Sequence, residues 1–260
     1  MDYMKKYDKN PSEDLYWNIP ETKQGTVGVV GGNSQMFRSS IKIAEYLTAK
    51  YPLKEARLVL PNALEGKLPP LDNLTFLRST ESGSFADGEE IVAAMDTNDF
   101  NLLIGDFSRN NITAKAVAGA SQSSAKPTLL TRDAADLIAA PGAEKTLLNE
   151  NLIIMASVAQ LQKLFRAVYY PKVLLLTQPL LQVADAIHKF TLSYPVSIIT
   201  LHDGQILIAK NGEVAVVPLS KSGYSPLTIW NGELAAKIAT LNLYNPNNFV
   251  AASIAAVFAK

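Results

Sequence analysis

The chain has 260 residues, with 24 Lys and Arg against 24 Asp and Glu, no cysteine and two histidines. Hydrophobic residues make up 48% and charged residues 18%, which describes a globular chain long enough for one large α/β domain and excludes a disordered one. The charge balance gives no reason to expect nucleic acid or a membrane surface as a partner, and the lack of cysteine excludes disulfides, thiolate catalysis and thiolate-held zinc.

Residues 1–24 mix Lys, Asp, Glu and Pro, with no apolar core of signal-peptide length, so a soluble, cytoplasmic protein is expected. They read as an N-terminal extension that begins mobile and is then pinned by Tyr16 and Trp17 against a single domain over 25–260. The apolar run 27–30 predicts a buried strand. Gly31-Gly32-Asn33-Ser34 follows, then a helix with Ile41, Ala44 and Leu47 on one face. Strand, glycine turn and helix open many nucleotide-binding α/β domains, although this turn is neither G-x-G-x-x-G nor a P-loop.

Strands are predicted over 57–60, 75–77, 102–104, 128–130, 152–155 and 173–176, with helices over 89–95 and 112–120 and further helices after 133, 158 and 180. The 102–104 strand ends in Gly105-Asp106-Phe107-Ser108. Residues past the carboxyl end of a parallel strand line the ligand crevice of such sheets, which makes Asp106 and Ser108 candidates. His188 lies on the helix after 180 with no second histidine in helical reach, and reads as a surface or half-buried helix residue rather than a ligand. The texture then changes. Runs 196–201, 206–209 and 214–217 are separated by Asp203-Gly204 and Asn211-Gly212, two type I′ hairpin signals, so an antiparallel meander is expected with His202 and Asp203 at its first turn. Beyond it, Asn231 and Gly232 precede Glu233, Leu234, Ile238 and Leu241, the pattern of a capped helix start. Its first-turn N–H groups either stand without a ligand or bind an anion. A last helix is expected over 247–258. The order argues a mainly parallel sheet with antiparallel strands at one edge.

Several of these stretches together resemble one family. Thr26-Val27-Gly28-Val29-Val30-Gly31-Gly32-Asn33-Ser34, Leu102-Leu103-Ile104-Gly105, Pro127-Thr128-Leu129-Leu130-Thr131-Arg132-Asp133-Ala134 and the meander followed by Trp230-Asn231-Gly232-Glu233 are similar, in that order, to segments of the ribokinase-like superfamily, in its branch of ATP- or ADP-dependent NAD(P)H-hydrate dehydratases. The resemblance implies a three-layer fold, with helices on both faces of the sheet and the meander at its edge. It implies ATP or ADP with Mg²⁺, a hydrated NAD(P)H as substrate, and a small molecule as the partner; a homo-oligomer is compatible with it, and no residue is set aside for a resident metal. It casts Glu233 as the base, Asn231, Gly232, His202 and Asp203 at the nucleotide phosphates, and Gly31, Gly32, Asn33, Gly105, Asp106 and Asp133 at the substrate.

The chain departs from the family at named places. Trp230, Asn231 and Glu233 stand where the family's G-[ST]-G-D motif has glycine, a hydroxyl residue and aspartate. Met155-Ala156-Ser157-Val158-Ala159-Gln160 replaces its T-P-H-x-x-E segment, and His202-Asp203 its K-G. A non-catalytic relative that binds a ligand or serves an assembly is therefore one alternative, and a small-molecule kinase using the same machinery is the other.

Overall fold

The structure is a computed structural model that describes residues 2–259. Its strands and helices run β1 (Met4–Lys6), β2 (Thr26–Gly31), α1 (Arg38–Lys50), β3 (Glu55–Pro61), β4 (Leu74–Leu77), α2 (Gly88–Asp96), β5 (Phe100–Gly105), α3 (Asn111–Ser123), β6 (Thr128–Thr131), α4 (Asp133–Leu137), α5 (Ala143–Leu147), β7 (Leu152–Met155), α6 (Val158–Ala167), α7 (Leu180–Ser193), β8 (Ser197–His202), β9 (Gln205–Lys210), β10 (Glu213–Pro218), α8 (Glu233–Tyr244) and α9 (Phe249–Phe258). The strands form one ten-stranded sheet in the order β1-β10-β9-β8-β7-β6-β5-β2-β3-β4. Only β9 runs against the others, so the sheet is mainly parallel.

Alternation along the strands divides the interior into two cores. Val29, Leu102, Ile104, Leu129, Ile153, Ile208 and Ala215 face one side, where Ile43 and Leu47 of α1, Leu234 and Ile238 of α8 and Ile254 of α9 cover them. Val30, Leu103, Leu130, Ile154, Leu207 and Val214 face the other side, under Ile91 of α2, Val117 of α3, Leu161 of α6 and Ile187 of α7. Strands buried on both faces explain why the sequence shows continuous apolar runs rather than alternation.

The meander is present as expected. Asp203 and Gly204 take φ of 48° and 66°, and Asn211 and Gly212 take 50° and 81°, the positive values that a type I′ turn demands at both central residues. Two expectations are corrected. Residues 173–176 are not a strand. β7 pairs directly with β8, which leaves no place between them, and Pro171 and Pro179 bracket the segment. Leu174 alone is buried there, its N–H donating to the Gln162 side chain, while Leu176 stands 72% exposed. In the N-terminal extension Tyr16 does pin the chain, its Oη donating to the Ala255 carbonyl at 2.5 Å, but Trp17 is 90% exposed and holds nothing. The extension also adds a strand the sequence did not announce: β1 lies parallel to β10, with Met4 opposite Val214, and so takes the outer edge beyond the meander.

Chain order fixes where a site forms. From β2 the chain builds outward through β3 and β4, and from β5 it builds the opposite way through β6, β7 and β8. The carboxyl ends of β2 and β5 therefore flank the point where strand order reverses, and open sheets bind ligands there.

Candidate functional site

At that point the backbone is held in unusual conformations. Gly32, Gly105, Asp106 and Arg132 all have positive φ, at 96°, 95°, 61° and 57°. Strain on non-glycine residues persists only where the surroundings over-determine it. Here they do. Gly31 pairs with Gly105 across the β2–β5 ladder, and the Gly32 N–H donates to the Gly105 carbonyl at 2.9 Å. Asn33 Nδ2 donates to the Asp106 carbonyl at 2.7 Å, while Asn33 Oδ1 accepts from the backbone of Gln35 and Met36. The Arg132 guanidinium bonds both oxygens of the buried Asp106 carboxylate, at 2.5 and 3.3 Å. Gln160, inside the capping box that starts α6, donates through Nε2 to the Arg132 carbonyl at 2.6 Å and to Asp136 Oδ2 at 2.9 Å.

Asp133 stands against this pair. A Cβ on Gly105 would lie 2.3 Å from Asp133 Oδ1, so no other residue fits at Gly105 in this arrangement. Asp133 Oδ1 is buried without a hydrogen-bond partner. Burial, and then the charge of Asp106, push the Asp133 carboxyl above the usual aspartate range. The structure thus brings Gly31, Gly32, Asn33, Gly105, Asp106 and Asp133 into one cluster, with the Arg132 side chain paired to Asp106.

The second group forms around the start of α8. Gly232 is its N-cap at φ 102°, and a Cβ there would meet Ile104 Cδ1 at 2.8 Å and Ile43 Cγ1 at 3.0 Å. The close approach that Gly232 permits is that of α8 onto the sheet. Asn231 precedes the cap rather than being it, and its Oδ1 accepts the Glu233 N–H at 2.9 Å. The N–H groups of Leu234 and Ala235 also fall in the first turn, where no intrahelical carbonyl is available, so the helix start remains electropositive. Glu233 is half-buried and lines a cleft of about 380 Å³ with Ser39, Lys42, Ile43, Arg132, Leu227, Trp230 and Asn231. Trp230 forms a wall of the cleft and leaves it open. Arg132 joins the two groups, pairing with Asp106 on one side and reaching this cleft on the other.

His202 and Asp203 stand elsewhere. His202 is buried, its Nε2–H donating to the Gln178 carbonyl at 2.7 Å, and Asp203 turns the β8–β9 hairpin, three strands away from β5. Neither lines the cleft. Ser108 is tied by its N–H to Ser84 Oγ at 3.1 Å. Five lining residues were not anticipated as site residues: Ser39, Lys42, Ile43, Arg132 and Leu227. The first two sit three apart on α1, on the turn that follows the glycine segment, and that i, i+3 spacing was the available signal. Leu227 lies in a loop and offered none.

Among the described residues no three His, Cys, Asp or Glu side chains stand together as a metal site. Asp106 is committed to Arg132, which leaves Glu233 as the carboxylate in the cleft. A single free carboxylate suits an Mg²⁺ that takes most of its ligands from phosphates and water.

No sequence-family model and no curated protein sequence matches the chain. Solved structures do. A ribokinase-like superfamily protein from Enterococcus faecalis is 15% identical, with 99% of this chain and 85% of that one covered and a TM-score of 0.62. A ribokinase from Thermotoga maritima is 14% identical, covering 90% and 91%, with a TM-score of 0.56. A pyridoxal kinase from Bacillus subtilis, solved as an ADP complex, is 11% identical, covering 90% and 89%, with a TM-score of 0.53. The chain has the ribokinase-like fold. At these identities the likeness concerns the fold, and the chemistry has to be argued from the site.

Proposed function

We propose that the protein is a nucleotide-dependent enzyme of the NAD(P)H-hydrate dehydratase type. ATP or ADP phosphorylates the hydroxyl of the hydrated cofactor, and loss of inorganic phosphate regenerates NAD(P)H. The observation that carries the reading is the placement of Glu233 in an open cleft at the electropositive start of α8, with Lys42 and Arg132 on its walls. The three solved structures of the same fold, one of them an ADP complex, support a nucleotide in the general role.

The residues divide the work as follows. The Glu233 carboxylate accepts the proton of the substrate hydroxyl as its oxygen forms a bond to the terminal phosphorus of the nucleotide. The bond from that phosphorus to the bridging oxygen breaks, and the shortened nucleotide leaves. Lys42 and the outward N–H groups of Arg132 face the charge that accumulates on the transferred group, and the start of α8 adds its partial positive charge from behind. Mg²⁺, when bound with the nucleotide, supplies charge neutralisation at the phosphates. The C–O bond of the phosphate ester then breaks, its electron pair leaving with inorganic phosphate, and the adjacent ring carbon gives its proton to the departing phosphate or to water, which restores the double bond. A small-molecule kinase would use the same steps and stop at the ester.

A non-catalytic relative is the second reading. It is favoured by Asn231 Oδ1, which already takes the Glu233 N–H, and by the Asp106–Arg132 pair, in which each charge already has its partner. Glu233→Gln separates the two. The substitution is isosteric and lies at a partly exposed position, so the melting temperature is expected to hold while turnover of NADPH hydrate with ATP or ADP drops about 100-fold or more. An unchanged rate would remove Glu233 from the role of base.

A further inference from the structure

The apolar side of the cleft is used neither by the base nor by the anion-binding groups. Trp230 and Leu227 stand three residues apart at the short 3₁₀ turn Thr228–Trp230 and its N-cap, and both line the cleft. Leu227 is 86% exposed, and Trp230 is half-buried and packs against the core. Lys42 and Arg132 belong to the same cleft, contributed by α1 and by the turn after β6. The volume, about 380 Å³, lies near the lower end of the range for small-molecule pockets, ~300–1,000 Å³. An indole beside a cationic group in a small cleft suits a flat ring that carries a phosphate, because any such ring stacks on the indole while the phosphate takes the charged hydrogen bonds.

We propose that Trp230 makes the cleft selective for a phosphorylated compound with a planar aromatic ring, of mononucleotide size, the ring lying against the indole and the phosphate against Lys42 and Arg132. This rests on the reading of the cleft as a phosphate site and adds what sits beside the phosphate. The second half of a dinucleotide would project from the mouth. A purine of the phosphate donor and a nicotinamide of the substrate both present the required chemistry.

The test uses the full chain carrying Trp17→Phe. The protein has two tryptophans, and Trp17 is 90% exposed, so its replacement leaves Trp230 as the single indole reporter. Adenosine monophosphate, nicotinamide mononucleotide, ribose 5-phosphate and inorganic phosphate are titrated in turn, with affinity from calorimetry and Trp230 emission read in parallel. At least one of the two aromatic phosphates is expected to bind about 10-fold or more tightly than ribose 5-phosphate and to change the emission, and which one does so tells a purine from a nicotinamide. Trp230→Phe should keep most of that preference. Trp230→Ala should abolish it and leave affinity for ribose 5-phosphate within about 2-fold, since the phosphate contacts remain. Should the alanine variant not fold, Trp230→Leu keeps an apolar contact with the core, lacks a ring face, and gives the same reading. Equal affinity for ribose 5-phosphate and both aromatic phosphates overturns the proposal, as does a preference that survives Trp230→Ala or Trp230→Leu. The two readings fail separately. ATP-driven turnover without any aromatic preference would leave the catalytic proposal standing and sink this one. A preference that depends on Trp230, without turnover, would do the reverse.

Discussion

Asp133 is the residue whose surroundings ask most of it. Its raised carboxyl comes first from burial and then from the charge of Asp106, and its Oδ1 has no partner. A carboxyl raised in the folded state favours folding while it is protonated. That contribution is present below the unfolded aspartate value of about 3.9 and is lost as pH rises through the folded value. Raising the pH from 4 towards neutrality therefore removes stability at Asp133. Asp133→Asn keeps the shape and removes the charge, so thermal melts at pH 7 should show equal or higher stability than the parent, and the parent's relative loss on going from pH 4 to pH 7 should shrink in the variant. A variant clearly less stable at pH 7 would contradict this account of the site. The sequence marked Asp106 from its position after a strand and Asp133 through the family resemblance, and the structure places them together. It could not show that Arg132 pairs with Asp106, because an arginine's partner across two strand ends depends on register, and register is not written in a local run of residues. The same holds for His202. Its position at a hairpin was legible, but its bond to the Gln178 carbonyl comes from a segment that follows α6 and carries no signal of its own.

At the scale of elements, the runs buried on both faces, the two Asn/Asp-Gly hairpins and the helix start at Glu233 were legible because each is encoded by neighbours in the chain. The 173–176 run misled because local apolar content does not say whether the sheet has a free place. β7 and β8 are already partners, and the run was left outside with Val173, Leu175 and Leu176 exposed. β1 escaped notice for the opposite reason: only three residues long and rich in lysine, it reads as an edge and gains its order from β10. Its lysines are of the kind that discourage further strands from adding. Deleting residues 1–11 would remove β1 and bare the edge of β10. The variant is expected to keep its far-UV spectrum and its affinity for ligands at the cleft, since the cleft lies beyond β9, β8, β7 and β6, while melting at lower temperature and self-associating in concentration-dependent size-exclusion runs. A monomeric variant with an unchanged melting temperature would show that β1 neither stabilises nor guards that edge.

For the molecule as a whole, chain reversal between β2 and β5 concentrates strained backbone, buried charge and an open cleft at one end of the sheet. The fold explains where a site belongs, and what it does has to be argued from the residues that line it. The central claim is that the cleft at the start of α8 holds a nucleotide phosphate. The most direct measurement is the melting temperature of the full chain with and without millimolar ATP, ADP and NADPH, each with Mg²⁺, repeated for Lys42→Glu. Saturation at about 100 times Kd adds about 2.7 kcal/mol, which for a chain of this size is a rise of about 5 °C or more. The account predicts that rise with at least one of the nucleotides ATP and ADP, and its loss in Lys42→Glu with the unliganded melting temperature preserved. No rise with ATP, ADP or NADPH, or a rise that Lys42→Glu leaves intact, would contradict it.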